Sequence, residues 1–537
     1  MLAGNASTAL ERPKREAPND FLCGILFLFF LLTLSSLFLS CGVQTMKRKL
    51  TPPKEAATLV LEKKESPYLK AHMLNGSVYV LSNWDVETLG KTVSGTGKHL
   101  GTNREVIGEG NFTFLVDSVA IFETNEVHSS PAIAALALLT TASVALTIYC
   151  IANPKACFGS CPTFYAWNGD TALLQAEGFS SSVAPALEKK DVDALFRAKA
   201  TGREFEVKMK NEALETHVIR YVDLLAIPRP ERRRIFVTSD GEFWQAKRLV
   251  APTVCLGPEG DCLELLRVLD GRERFSSADS HYLAARETLE VEFDDVSDGR
   301  FGLVLAARQS LLTTFLFYQT LAYMGTSAGE WFAALERMEE VAKKQGEGMG
   351  EKLGWIEVLM QDSSGEWRPI GRSGETGPMG ADVRVIPLPQ LPTGATKIKL
   401  RLTRGHWRLD WAALAELEKR MEPVRLQPSL VRKEGRVDEK TRKLLLDSAQ
   451  VLVTFPGDEY TLVYRLPEDF SRYELFLESR GYYLEWMRQE WLAEENLDRA
   501  AMMFFNPENA LRVLAPEFKK VEAEIEEQFW GSKYVRT

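Results

Sequence analysis

The chain is poor in the residue patterns that mark chemistry. No His-Glu-x-x-His helix or Walker-type phosphate loop occurs in it. Histidine is scarce: the six are scattered and none lies near a cysteine pair. The body lacks a large basic patch, and the net charge is −9, which excludes a general nucleic-acid surface. Its densest basic cluster, Arg232-Arg233-Arg234, sits beside Pro228 and Pro230 and reads as a solvated turn. The Gly-then-aromatic turns at Asp240-Gly241 and Ser364-Gly365 recur without a fixed period, so a repeat architecture is excluded too.

What the chain does have begins at its start. Leu22 to Ser40 is apolar or small throughout, follows Arg12, Lys14 and Arg15, and ends at Ser40-Cys41-Gly42. That is the layout of a bacterial lipoprotein signal, with Cys41 as the lipid anchor after cleavage. Leu three before the cysteine is usual in such signals, whereas Phe38 stands there. The alternative is an uncleaved anchor, since about 20 apolar residues span a bilayer. Lys47, Arg48 and Lys49 would then form a cytoplasmic flank. Either way the expected location is a bacterial cell envelope, mostly periplasmic or extracellular, with membrane lipid as one partner.

A second apolar stretch, Ile133 to Ile151, lies in a run from Val127 to Pro154 that is uncharged apart from His128. It is long enough to span a membrane. Its Ala, Thr and Ser content suits close helix packing, and a fully buried helix would have a similar composition.

Seven cysteines are present. Outside the cytoplasm, Cys255 and Cys262 fit a local disulfide across the Pro258–Gly260 turn, and Cys157 and Cys161 could close another small loop. Cys150 could take either of those two as partner. A zinc site is disfavoured because no fourth soft ligand is near.

The rest reads as mainly β with α insertions: β-sandwich and β-hairpin units followed by C-terminal helices. A length of 537 residues accommodates roughly three or four domains. The expected divisions are a leader at 1–41, a tether at 42–66, a small β domain at 67–126 and the apolar helix at 127–154. A β-rich domain at 155–305, a helical segment at 306–345, a sandwich-like domain at 346–466 and a helical region at 467–537 follow. Asn75-Gly76 and Asn168-Gly169 each join two apolar runs, a hairpin signal. Glu204 to Lys210 alternates with period two, as a half-buried strand does. Asp410 is placed to cap a helix through Met421. Leu484 to Phe505 reads as a helix stopped by Asn506-Pro507, and Pro516 starts another whose Phe518, Val521, Ile525 and Phe529 share a face.

The run Cys157-Phe-Gly-Ser-Cys-Pro-Thr-Phe-Tyr-Ala-Trp-Asn-Gly169, with Glu177 to Leu187 after it, resembles a group of uncharacterised envelope proteins from Bacteroidetes-type bacteria. Asn211 to His217, Leu311 to Gly325 and Gly354 to Arg368 are also similar to that group, so the resemblance covers most of 68–490. It implies an envelope location and β-rich architecture, and no chemistry. Residues 354–410 separately resemble a galactose-binding-like sandwich, ending in the strand Lys397 to Leu402.

Individual residues point weakly to sites. His217 follows Glu215, and a structural hydrogen bond is favoured over a catalytic base. His406, between Gly405 and Trp407, reads as a packed turn residue. Ser180, Ser181 and Ser182 read as a loop. Asp294, Asp295 and Asp298 are weak calcium candidates against a plain acidic turn. Trp367 and Trp407, if exposed, could stack on a sugar. No catalytic residue, metal site or cofactor is assigned. The expected role is non-enzymatic, a scaffold or accessory subunit with envelope protein partners. A carbohydrate- or peptidoglycan-binding lipoprotein is the alternative, and an envelope hydrolase is third.

Overall fold

The computed structural model describes residues 45–59, 68–128, 162–325, 352–485 and 494–527, apart from short gaps within those runs. It is mostly β, with five sheets and a small set of helices. Both apolar stretches, 22–40 and 133–151, lie outside the described residues, and no described helix is long and apolar enough to cross a membrane.

The first sheet contains strands β1 (Thr45–Thr51), β2 (Tyr68–Met73), β3 (Val78–Val86), β4 (Thr92–Leu100), β5 (Val106–Leu115) and β6 (Val119–His128). Their order is β1-β6-β2-β3-β4-β5. Part of the expected tether is therefore structure: β1 pairs with β6 from Thr45↔His128 to Thr51↔Phe122. The β3 register shifts between Ser82 and Asp85, where Asn83 takes a positive φ of 48°. Asparagine tolerates that left-handed conformation, and the bulge re-aims the strand. Beyond it, Trp84 is buried with Leu69, Leu81, Val93 and Phe122 in a core drawn from this sheet and the short turn Pro53–Thr58.

The other four sheets form a stack. The second consists of Thr163–Trp167, Ala172–Glu177, Glu204–Lys210, Leu430–Lys433, Arg436–Val437 and Glu459–Arg465. The third contains Lys189–Ala194, Glu215–Pro228, Val424–Leu426, Leu452–Thr454 and Tyr473–Glu485. In the fourth, Arg234–Val237, Phe243–Val250, Phe301–Gln309, Asp382–Pro387 and Trp407–Met421 close into a ring, because Phe243–Val250 pairs with both Arg234–Val237 and Trp407–Met421. The fifth runs through Val254–Gly257, Arg286–Val296, Gly394–Thr403, Ile356–Gln361 and Trp367–Ser373.

Side-chain alternation builds the stack. On Glu215–Pro228, Leu224 enters the core shared with the second sheet, and its neighbour Leu225 enters the core shared with the fourth. On Phe301–Gln309, Val304 faces the third sheet, while Leu303 and Leu305 face the fifth. Strands covered on both faces read as near-continuous apolar runs, as these do.

Chain order and spatial order differ. The second and third sheets take strands from 163–228 and again from 424–485, with the fourth and fifth inserted between them. The division drawn at 305/306 thus falls inside the strand Phe301–Gln309. The 346–466 run contributes to four sheets, and the region assigned to C-terminal helices opens with Tyr473–Glu485, a central strand of the third sheet.

The segment expected to be a helix after Asp410 is the strand Trp407–Met421. Its Ala, Leu, Glu and Lys content favours helix, but pairing to Phe301–Gln309 and Phe243–Val250 overrides propensity. Asp410 does act as an acceptor for backbone N–H groups, those of Asp270 and Gly271 in another loop.

Helix α1 (Leu312–Met324) is apolar nearly all round and packs with α3 (Leu497–Phe505), α4 (Pro507–Val513) and α5 (Ala515–Val521); α2 (Glu439–Leu446) stands apart. Asn506 ends α3 and caps α4 by accepting from the Asn509 N–H, with Pro507 in the first turn. In α5 Phe518 is buried, and Val521 and, beyond the helix, Ile525 pack against the same cluster; Phe529 lies outside the described residues.

Candidate functional site

Glu215 and His217 share one face of their strand, and both side chains are wholly buried. His217 Nε2 lies 2.7 Å from Glu215 Oε1. The Asn211 amide donates to the Glu215 and Thr454 carbonyls, and Tyr483 sets its ring edge-on to His217. Asn211 and the strand pairing of His217 with Thr454 fasten the Leu452–Thr454 strand to the third sheet.

His406 is buried in a tight turn, its carbonyl accepting from the Ser310 N–H at 2.7 Å and its ring against Trp407. Burial, aided by the Arg286 guanidinium, pulls its pKa down to about 3. The imidazole stays neutral at physiological pH.

Cys255 and Cys262 are joined by a disulfide with Cα atoms 5.2 Å apart. Cys41, Cys157 and Cys161 lie outside the described residues, as do Ser180 and Ser181. Ser182 Oγ accepts from the Lys189 N–H.

Asp294, Asp295 and Asp298 are exposed at the end of the strand Arg286–Val296. Arg248 clasps that turn by donating to the Asp295 carbonyl and to Ser297 Oγ, each at 2.9 Å. Among the described residues no group of three acidic, His or Cys side chains is arranged to hold a metal ion.

Neither candidate tryptophan offers a bare face. Trp407 is 1% exposed, and Lys399 Nζ sits 4.4 Å over the Trp367 ring. Arg372 covers Trp355 in the same way at 4.5 Å.

Arginine networks run through the described residues, and sequence reading missed them; three illustrate the pattern. Arg274, 1% exposed, donates two hydrogen bonds to Glu259 and one, 2.5 Å long, to Glu287. Arg308 grips Glu273 at 2.6 and 2.7 Å and reaches Glu526, which Arg408 also contacts at 2.7 Å. Arg425 bridges Asp223 and Glu478 at 2.8 Å each, and Tyr221 donates to Glu478 at 2.9 Å. Burial raises Asp223 above the usual carboxylate range and, with the Glu478 charge, pushes Tyr221 up to about 12. Paired carboxylates are what acid–base hydrolysis needs, but here one guanidinium engages both. Partners up to 257 positions apart in sequence gave no local signal.

An aromatic cluster extends the first sheet's core at half-buried positions. On β3–β5 the rings of Tyr79, His99, Phe112 and Phe114 gather at half-buried positions beside glycines. Tyr79 stacks on His99 at 4.0 Å and on Phe114 at 4.7 Å, and Phe112 stands opposite Gly95 in register. Gly97 is obligatory: a Cβ there would lie 1.9 Å from the Val80 carbonyl oxygen. Aromatic rings laid over cross-strand glycines compensate for their missing side chains. The alternation Gly-x-Gly in β4 against Phe-x-Phe in β5 was the available sequence signal.

Comparison with protein families and with curated proteins finds no match. Among solved structures, the chain is similar to a family-31 α-xylosidase from Xanthomonas citri, at 8% identity and a TM-score of 0.14. The match covers 77% of this chain and 32% of that one, so the chain spans about a third of the enzyme's length. A likeness of that size carries neither fold nor function.

Proposed function

We propose that this chain is a membrane-anchored cell-envelope protein that acts as a non-enzymatic scaffold or accessory subunit of a larger assembly. The observation that carries the reading is the use made of its charged and titratable side chains. The Arg274 and Arg308 networks tie sheet to sheet and helix to sheet, the Arg425 network joins strands within the third sheet, and His217 and His406 are enclosed. Groups held this way fix a platform and are unavailable to a substrate.

Anchoring draws support from the β1–β6 pairing. Thr45↔His128 brings together the chain just after the first apolar stretch and just before the second. Both stretches therefore connect to one end of the first sheet, a geometry suited to attachment at a single membrane surface. The resemblance to Bacteroidetes-type envelope proteins points the same way. The Cys255–Cys262 disulfide favours an oxidising compartment for the stacked sheets.

The test is fractionation of cells carrying Cys41→Ala beside the parent chain. Release of the variant supports lipidation as the sole anchor, and retention points to an apolar anchor, either an uncleaved 22–40 or 133–151. Recovery of the parent chain in the soluble fraction overturns the anchored reading.

A further inference from the structure

Edge strands invite pairing, and proteins blunt them with short length, proline, charge or bulges. Most edges here are treated in that way. Arg436–Val437, Arg274–Phe275 and Gly260–Asp261 are two residues long. Trp367–Ser373 contains Pro369 and two arginines, and its pairing is broken by a register shift. β1 carries Lys47, Arg48 and Lys49. β5 differs: it is ten residues long, lacks proline, has Glu109 as its one charge, and no described strand pairs with its outer side. It also exposes Val106, Ile107 and Leu115 at 50, 55 and 60%.

We propose that β5 is the dimer interface of this protein, pairing antiparallel with β5 of a second copy about a two-fold axis at Asn111. The strand's own sequence argues for that occupant. In this register Ile107 stands opposite Leu115 of the other copy, so each exposed apolar end covers the other. Gly108 meets Phe114 and Gly110 meets Phe112, repeating the Phe112–Gly95 pairing seen between β4 and β5. Glu109 faces Thr113, and no like charges are opposed. A closed two-fold contact of this kind is self-limiting, since each copy has one such edge. It supplies the scaffold reading with a surface, yet the two fail separately.

The test uses the full chain, extracted in mild detergent. Asn111→Cys places two sulfurs across a pair whose Cα atoms are about 4.5–5.5 Å apart in an antiparallel ladder, within disulfide reach. Mild oxidation is expected to give a covalent dimer of Asn111→Cys that the parent chain does not give. Native mass is expected to show two copies. Ile107→Lys, at an exposed position, is expected to weaken the dimer tenfold or more, and Leu115→Glu added to it is expected to restore pairing by charge complementarity. A one-copy native mass together with no cross-link overturns the proposal. So does a dimer that neither cross-links at 111 nor responds to Ile107→Lys. A dimer that recovers no other envelope protein leaves this inference standing and removes the scaffold reading; a monomer bound to such partners does the reverse.

Discussion

The first sheet and the four-sheet stack solve the same problem with different means. The first sheet is one layer that buries one face under a short turn, around Leu81, Trp84 and Phe122. Its far strands are made of glycines roofed by aromatic rings. The stack buries both faces of its third and fourth sheets and adds arginine networks between layers. A thin sheet leaves edges and faces for partners, whereas a thick stack holds shape. In this chain the long unpaired edge lies in the first and the arginine networks between layers lie in the second.

Truncating a core residue should separate the two most sharply. Trp84→Ala removes the largest side chain of a small core, at a cost of about 3–5 kcal/mol. It should abolish the first sheet's protection from proteolysis while cleavage within 162–527 stays as in the parent. Arg274→Ala should act in the opposite direction: it leaves Glu287 buried beside no guanidinium, at a cost of about 3–5 kcal/mol. Calorimetry should show the stack's transition lowered, with the first sheet's protection from proteolysis unchanged. Simultaneous loss of both regions in either variant would show them to be one cooperative unit.

Smaller effects sharpen the same contrast. Replacing Cys255 and Cys262 together by serine frees a short loop, worth about 2 kcal/mol in the chain-entropy view. The stack's melting temperature should fall and lose its sensitivity to reductant. His406 provides a pH test. Its folded pKa lies below its unfolded value, so the unfolded state binds more protons on acidification and stability falls with falling pH. The loss begins near the unfolded value of about 6.5 and continues toward the folded one. His406→Gln should flatten the stack's stability between about pH 6 and pH 4, read by urea titration at each pH. Identical slopes for the two chains would remove His406 as a source of that dependence.

Local patterns made much of the strand content legible. Glu204–Lys210 alternates in the structure as its sequence does, and the runs on either side of Asn75-Gly76 and Asn168-Gly169 pair as hairpins. The stop at Asn506-Pro507 was legible because capping is chemistry among near neighbours. Trp407–Met421 was misread because its helix-favouring residues are overruled by two strands drawn from more than 90 positions upstream. The same distance hid the insertion of one pair of sheets within another and the Arg308–Glu526 contact. Of the candidate site, the Glu215–His217 bond was readable from spacing alone, whereas the unprotected edge at β5 became visible only once the order of strands was known.

The central claim is that this chain serves as an anchored, non-catalytic component of an assembly. Native mass and composition, measured on the protein extracted gently from its own membranes, test that claim most directly. The account predicts a defined particle containing other envelope proteins. A lone chain without partners, free in the soluble fraction, would contradict it.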